Sequence, residues 1–164
     1  ERIFLNGENG CGKSSLIKAI LKTNSNKEFT GFFIEGEVNV ASNMVISYIS
    51  QDTSHLKGTL KKYAEIQNLD YSLFLALLRQ LDFDRNQFVK DIENFSEGQK
   101  KKVLIAESLL TPAHLYIWDE PLNHIDVFSR IQIEKLIDMY KPTMLIVEHD
   151  VRFRENLATK IIDM

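Results

Sequence analysis

Two short segments of this sequence carry residue types that could bind a phosphorylated ligand and a cation. The first, Gly7-Glu8-Asn9-Gly10-Cys11-Gly12-Lys13-Ser14, fits the pattern G-x-x-x-x-G-K-[ST]. Glycines let backbone N–H groups curl around phosphate oxygens, and the lysine ammonium can reach the outer phosphates. The Ser14 hydroxyl is an oxygen of the kind that ligates Mg²⁺. This segment predicts a site for a nucleoside triphosphate with Mg²⁺.

The phosphate-loop pattern is informative only between a strand and a helix. Ile3-Phe4-Leu5 is a short apolar run, and Leu16, Ile17, Ile20 and Leu21 recur at helical spacing. The other interpretation, an ordinary glycine turn that caps a helix, does not require this lysine and serine. The predicted nucleotide-binding residues of this loop are Gly7, Glu8, Asn9, Gly10, Cys11, Gly12, Lys13, Ser14 and Ser15.

The second segment is an apolar run that ends in two carboxylates, Leu115-Tyr116-Ile117-Trp118-Asp119-Glu120. In open α/β sheets the ligand lies at the carboxyl ends of the strands. Asp119 is expected to hold Mg²⁺, and Glu120 to orient or deprotonate an attacking water. Many strands end in acidic turns, so the segment gains its meaning from the phosphate loop that accompanies it.

A third segment, Phe95-Ser96-Glu97-Gly98-Gln99, has two interpretations. Ser96-x-x-Gln99 is a capping box, which predicts a capped helix. The string also resembles the signature of ATP-binding cassette ATPases, usually L-S-G-G-Q, with Phe for Leu and Glu for the first Gly. The resemblance implies that Ser96, Gly98 and Gln99 bind the γ-phosphate of a nucleotide held by a second cassette, where a hydroxyl, an amide and a helix N-terminus favour an anion.

Other residues follow the order of the same family. Gln51 matches the glutamine that contacts Mg²⁺ and the attacking water, and His149 matches the histidine that contacts the γ-phosphate. Asn123 to Asp126 matches the loop that crosses the interface between two cassettes. The resemblance thus implies a catalytic group of Glu120, His149, Gln51 and Asp126, with Ser14, Gln51 and Asp119 at the metal. Asp126 could equally be the N-cap of the next helix.

Alternating strand and helix patterns predict a mostly parallel α/β sheet, which the resemblance specifies as a P-loop NTPase core of the ATP-binding cassette fold. Residues 22–31 are predicted to form a loop, and Phe32 to Ser50 an extended segment in which Val38 and Val40 alternate. Residues 56–111 are predicted to form an inserted helical subdomain that carries the signature. Residues 1–55 and 112–164 would form the nucleotide-binding core.

Composition limits the classes of protein that remain. The chain has 164 residues, 44% of them apolar, and a net charge of −3, which gives no basic footprint for nucleic acid. The lysine run at 100–102 is interpreted as a solvated helix face. The single cysteine, Cys11, excludes an internal disulfide and fits a reducing cytosol. No apolar run is long enough to cross a bilayer. The chain begins and ends inside predicted strands, so we expect a fragment.

Three branches of the family remain open. The segment Asp119 to Asp126, D-E-P-L-N-H-I-D, resembles the D-E-P-T-N-H-L-D of soluble ABC-F proteins, and more narrowly the second cassette of those that confer antibiotic resistance. That resemblance implies a cytoplasmic ATPase that uses Mg²⁺ and ATP, pairs with a second cassette and binds the ribosome. The alternatives are the ATPase subunit of a membrane transporter and a cassette that does not hydrolyse ATP; the second is disfavoured because Lys13, Asp119, Glu120 and His149 are all intact.

Overall fold

The computed structural model describes residues 1–25 and 35–164. Its centre is a parallel sheet of five strands in the order β2-β3-β4-β1-β5. The strands are β1 (Arg2–Asn6), β2 (Ile46–Ile49), β3 (Leu115–Asp119), β4 (Met144–Val147) and β5 (Lys160–Asp163). Because the strands are parallel, all their carboxyl ends meet at one edge of the sheet, where the predicted site residues follow β1, β2, β3 and β4.

Helices connect the strands. They are α1 (Lys13–Ser25), α2 (Leu60–Ile66), α3 (Tyr71–Gln80), α4 (Glu97–Leu110), α5 (Val127–Tyr140) and α6 (Val151–Leu157), with 3₁₀ turns at Arg85–Gln87 and Ile92–Asn94. Asp and Ser side chains begin several of them: Asp70, Ser96 and Asp150 each accept a backbone N–H of the first turn. Three helices, α2 to α4, lie between β2 and β3 in the chain.

The central strands of the sheet are buried on both faces, whereas the edge strand β5 is exposed. Successive residues of the central strands point to opposite sides, so Leu5, Ile117 and Leu145 pack with Ile17 of α1. Phe4 and Trp118 belong to the larger cluster on the other face, which includes residues of α2 to α6. Strands covered on both sides are expected to be continuous apolar runs, and Met144–Val147 is buried throughout.

The architecture predicted from the sequence is confirmed: the chain is an α/β protein with a parallel sheet of five strands. The division into a core and an inserted helical subdomain stays a prediction. In the part of the chain that the structure describes, no helix combines the length and apolar character needed to cross a membrane.

Two predicted segments were wrong. The loop predicted for 22–31 begins too early, because α1 continues to Ser25; residues 26–31 lie outside the described residues. Within residues 35–50, the described part of the extended segment predicted from Phe32, the strand is Ile46–Ile49 alone. Residues 35–45, which include Val38 and Val40, form no strand, and the chain there turns through left-handed φ angles at Gly36 (112°) and Asn43 (60°). Residues 32–34 are not among the described residues.

A buried hydrogen-bond network joins β2, β3 and α4. The Ser108 hydroxyl accepts the Trp118 indole N–H at 2.9 Å and lies 2.7 Å from the Ser47 hydroxyl. Ser108→Ala should therefore lower the free energy of unfolding by about 1–3 kcal/mol, because it leaves a buried N–H without its acceptor. Ser72→Ala, on the exposed side of α3, is the control and should change it by less than about 0.5 kcal/mol. Equal losses of unfolding free energy in Ser108→Ala and Ser72→Ala, measured by urea unfolding, would contradict a stabilising role of this network.

Candidate nucleotide-binding site

The phosphate loop connects β1 to α1 at the carboxyl edge of the sheet. Gly12 has a φ of 109°, in the left-handed region that favours glycine, and α1 begins at the next residue. The Lys13 side chain is buried, and its ammonium donates to the carbonyls of Gly7 at 2.8 Å and Glu8 at 2.9 Å. A cation is thereby held in the middle of the loop, where it can attract phosphate oxygens.

Asp119 brings the three predicted metal-binding residues together. Its buried carboxylate accepts the Ser14 hydroxyl at 3.2 Å and the Gln51 side-chain amide at 3.1 Å. The strands explain the meeting, since β2 and β3 are neighbours and pair Ile49 with Trp118. Burial, and then the negative charge of Asp119, raises the pKa of Tyr48 to about 12. This edge of the sheet therefore carries a carboxylate, that of Asp119, together with the side-chain oxygens of Ser14 and Gln51.

Glu120 follows directly and has an unusual backbone. Its φ is 50°, a left-handed value that costs energy in a residue with a side chain, and its N–H donates to the Val147 carbonyl at 2.9 Å. One carboxylate oxygen accepts the Asn123 amide at 2.6 Å. The other lies 3.6 Å from Nε2 of His149. The strained turn directs the carboxylate toward groups from two different loops.

These elements enclose one cavity of about 300 Å³. The residues that line it are Asn9, Gly10, Gly12, Lys13, Ser14, Ser15, Gln51, Glu120 and Val147. The loop after β1, the second residue after β2 and the residue after β3 thus face the same space. The arrangement can hold an anion on the Lys13 side and activate a water on the Glu120 side.

The segment carrying Ser96, Gly98 and Gln99 does not line this cavity. The Ser96 hydroxyl and the Gln99 side chain form the predicted capping box at the start of α4. Gly98 packs against the loop after β3 so closely that a Cβ would meet the His124 carbonyl oxygen at 2.3 Å. Among the described residues that line the cavity, none comes from Ser96–Gln99.

Asp126 is also set apart from the cavity. It caps α5 by accepting the Ser129 N–H at 2.8 Å, and its carboxylate lies 2.7 Å from the Lys102 ammonium. Burial alone would raise the pKa of Asp126, but the hydrogen bonds from Lys102 and Ser129 lower it to about 2. The predicted N-cap is confirmed, and a role of Asp126 in catalysis or at the interface stays a prediction.

Comparison with known proteins fits this geometry. Residues 1–123 match the ABC transporter family. The chain belongs to this family and is an ATP-binding cassette. The match spans the phosphate loop, the acidic strand end and the signature segment.

Several individual proteins are similar to this cassette over nearly its whole length. The ATP-binding protein Uup of Buchnera aphidicola is 32% identical over 98% of the chain, and ABC transporter F family member 2 of Arabidopsis thaliana is 30% identical over all of it. The ribosome protection protein VmlR of Bacillus subtilis is 30% identical over 94% of the chain. The chain spans only 27%, 24% and 27% of these relatives' lengths.

Solved structures give the same fold. A complex of the archaeal ribosomal stalk protein aP1 with the ribosome recycling factor aABCE1 contains a chain that is 25% identical, with a TM-score of 0.71; the cassette covers 31% of it. An ATP-binding subunit of an ABC transporter has a TM-score of 0.79 at 21% identity, over 74% of its length, which shows the fold alone.

The cassette's lysine run was misjudged from the sequence as a solvated helix face. Lys101 and Lys102 are buried on α4, whereas Lys100 pairs with Glu97 at 3.1 Å. Lys101 donates to the Ser50 carbonyl at 2.8 Å, next to Gln51. Burial lowers the pKa of Lys101, and the carboxylates of Asp119 and Glu120 act in the opposite direction. The run directly follows the signature segment, and nothing in the local sequence distinguishes its buried lysines from solvated ones.

The ion pair at Asp126 gives a testable difference between two similar N-caps. Asp70 caps α3 by the same type of bond, from Leu73 N–H at 2.9 Å, and within the described residues it has no ion pair with a lysine. Because asparagine is also a good cap, Asp70→Asn should cost little. Asp126→Asn leaves buried Lys102 without its carboxylate and should lower the free energy of unfolding by roughly 1–2 kcal/mol, a value reduced by the exposure of Asp126.

Urea unfolding of the two variants at neutral pH measures this difference. Since the pKa of Asp126 is lowered in the folded state, its contribution is present above the unfolded value of about 4 and is lost as the pH falls toward about 2. The difference in the free energy of unfolding between Asp70→Asn and Asp126→Asn should accordingly become smaller at acid pH. Equal losses for Asp70→Asn and Asp126→Asn at neutral pH would show that the ion pair contributes nothing.

Proposed function

We propose that this cassette binds and hydrolyses ATP with Mg²⁺. The observation that supports this most strongly is the single cavity lined by Lys13, Ser14, Gln51 and Glu120, with Asp119 hydrogen-bonded to two of them. Lys13 and the loop amides would bind the phosphates. Residues 1–55 and 112–164 would form the nucleotide-binding core and 56–111 the helical subdomain.

The residues beside Asp119 suit Mg²⁺. Magnesium keeps several waters and is held in proteins by one or two carboxylates together with substrate phosphates. Ser14, Gln51 and Asp119 offer three oxygen ligands with one carboxylate. Among residues 1–25 and 35–164, no group of three or more His, Cys, Asp or Glu side chains could form a cage of its own. Bound there, Mg²⁺ would supply charge neutralisation for the phosphates.

Glu120 is proposed as the residue that orients and deprotonates the attacking water. Water oxygen would form a bond to the γ-phosphorus in line with the bridging oxygen, whose bond breaks as ADP leaves, while Glu120 takes the proton. Asn123 donates to one carboxylate oxygen, and His149 stands beside the other. These contacts hold the carboxylate in one orientation, and His149 would then contact the γ-phosphate.

Two cassettes would complete the site. Ser96, Gly98 and Gln99 start a helix away from the cavity of their own chain, where a hydroxyl and a helix N-terminus can receive an anion from outside. We propose that this anion is the γ-phosphate of a nucleotide bound to a second cassette, with Asp126 near the shared interface. Isolated, the chain would hydrolyse ATP poorly.

We further propose that the full-length protein is a cytoplasmic ABC-F factor that binds the ribosome and protects it from antibiotics. Support comes from the likeness to VmlR, whose name states ribosome protection, and from the D-E-P-L-N-H-I-D segment. The alternative is the ATPase subunit of a membrane transporter. Both share the same ATP chemistry, so only the partner distinguishes them.

Glu120→Gln tests the base. The variant should bind ATP as the wild type does and lose turnover by about 10²-fold or more, the usual scale for a positioned base. Steady-state hydrolysis and equilibrium binding are measured in the full-length protein. Glu155→Gln, a change on the exposed side of α6, is the control and should hydrolyse ATP normally. Turnover near the wild-type rate in Glu120→Gln would remove Glu120 from this role.

Cys11 reports on nucleotide binding directly. Its thiol is exposed in the phosphate loop, 3.7 Å from the Lys13 ammonium. Bound Mg²⁺-ATP should slow its alkylation, followed by mass spectrometry, because the phosphates would cover the loop. In Lys13→Met the protection should disappear. Equal labelling rates of the wild type with and without nucleotide would contradict binding at this loop.

Co-sedimentation separates the two partners. If ATP favours the ribosome-bound state, blocking hydrolysis should accumulate it, since a ligand shifts populations through its different affinity for each state. Full-length Glu120→Gln, with the equivalent change in the other cassette, should sediment with ribosomes in ATP and far less in ADP. Association should weaken with salt, because ribosomal RNA is a polyanion. Recovery with membranes instead would favour the transporter.

A further inference from the structure

The loop after β3 and the loop after β4 are joined by a buried carboxylate. Glu148 is 6% exposed, and it ends the apolar run of β4. One of its oxygens accepts the backbone N–H of Leu122 at 3.1 Å, across the gap between the two loops. The other accepts the N–H groups of His149 at 2.7 Å and Asp150 at 3.2 Å. A single side chain thereby satisfies three backbone donors from two segments of the chain.

Arg130 of α5 joins the same two loops from the other side. Its guanidinium donates to the Ile125 carbonyl at 3.0 Å and pairs with the Asp150 carboxylate at 2.8 Å. A longer contact of 3.4 Å reaches the Leu122 carbonyl. Asp150 in turn caps α6 through the Phe153 N–H. In the Leu122–Ile125 segment, Glu148 therefore accepts a backbone N–H, and Arg130 donates to two backbone carbonyls.

The loops held in this way carry the two groups beside Glu120. Asn123 lies within the first loop and donates to one Glu120 oxygen, while His149 lies in the second and approaches the other. A relative shift of the loops by about an ångström would break one of these contacts, and misplacements of that size cost catalysis about 10²-fold. The carboxylate of Glu148 matches three N–H donors, whereas an amide would point its own NH₂ at one of them.

We propose that Glu148 and Arg130 are positioning residues that clamp the loop of Asn123 to the loop of His149, so that both contacts on Glu120 are made and broken together. The proposal rests on the proposed role of Glu120 in hydrolysis. Glu148 and Arg130 themselves do not line the nucleotide cavity formed by the described residues. They act on the reaction only through the residues that they place.

Hydrogen exchange tests the clamp without any need for activity. The full-length protein is compared with Glu148→Gln and Arg130→Gln, and exchange is followed in peptides covering residues 121–126 and 148–152. Each variant should speed exchange in both peptides by about 10-fold or more, since either change loosens both loops. Glu134→Gln, which alters an exposed contact with Asn156 on the same helix as Arg130, is the matched control and should leave both peptides unchanged. Faster exchange in one loop alone, or in neither, would overturn the clamp.

Kinetics test the consequence for the reaction. Turnover per bound nucleotide should fall about 10-fold or more in Glu148→Gln, with KM and nucleotide affinity within about twofold of the wild type. The loss should not add to that of a variant lacking both the Asn123 amide and the His149 ring. A purely structural role would lower the amount of binding-competent protein and leave turnover per site unchanged, which would overturn the proposal.

Two further comparisons keep the outcomes separate. Arg130→Lys retains the charge that pairs with Asp150 but lacks the second arm that reaches the carbonyls, so it should give a smaller loss than Arg130→Gln. If Glu148→Gln fails to fold, the two Arg130 variants decide the result by hydrogen exchange and by turnover per bound nucleotide. A wild-type protein that binds ATP without hydrolysing it would refute the proposed function, while the exchange experiment would still decide whether the loops are clamped.

Discussion

The carboxylate of Asp119 is the interaction on which the site depends. A buried charge is costly unless it is hydrogen-bonded, and Asp119 is hydrogen-bonded by Ser14 from the start of α1 and by Gln51 after β2. Three segments that are distant in sequence therefore meet at the Asp119 carboxylate. The parallel sheet makes this possible, because it brings the carboxyl ends of all its strands to one edge.

The rest of the site is arranged around that edge by the backbone. The strained turn at Glu120 redirects the chain immediately after Asp119, so that neighbouring carboxylates face different partners. Lys13, in the phosphate loop, balances part of the negative charge of these carboxylates. Buried Lys101 of α4 approaches the same edge of the sheet, where it donates to the Ser50 carbonyl. In the described part of the chain, the signature serine and glycine do not line the cavity.

Much of this could be predicted from the sequence. The phosphate loop is recognisable by residue type, because few other structures need glycines, a lysine and a serine at that spacing. The acidic strand end becomes informative only together with that loop. The strand that ends at Asp119 was predicted well, because its apolar run is continuous. The segment with Val38 and Val40 was predicted poorly, because its alternating valines form no strand in the described part of the chain.

Contacts between distant residues could not be predicted. Nothing local distinguishes Lys101 from a solvated lysine, since its burial depends on the Ser50 carbonyl lying opposite. Glu148 stands beside a recognised histidine, yet its three backbone partners are fixed only when the loops after β3 and β4 come together. Such residues are found from the three-dimensional structure, because burial and partners come from the tertiary fold.

Calorimetric titration of ATP into the full-length protein and into Asp119→Asn, each with Mg²⁺ and with a chelator, tests the central claim most directly. If Asp119 holds the metal with Ser14 and Gln51, Mg²⁺ should tighten ATP binding by the wild type, and the substitution should remove roughly 10-fold or more of that gain. Binding in chelator should stay equal for the two proteins or improve in Asp119→Asn, because a negative charge near the phosphates has been removed. An unchanged gain from Mg²⁺ in Asp119→Asn would contradict the account.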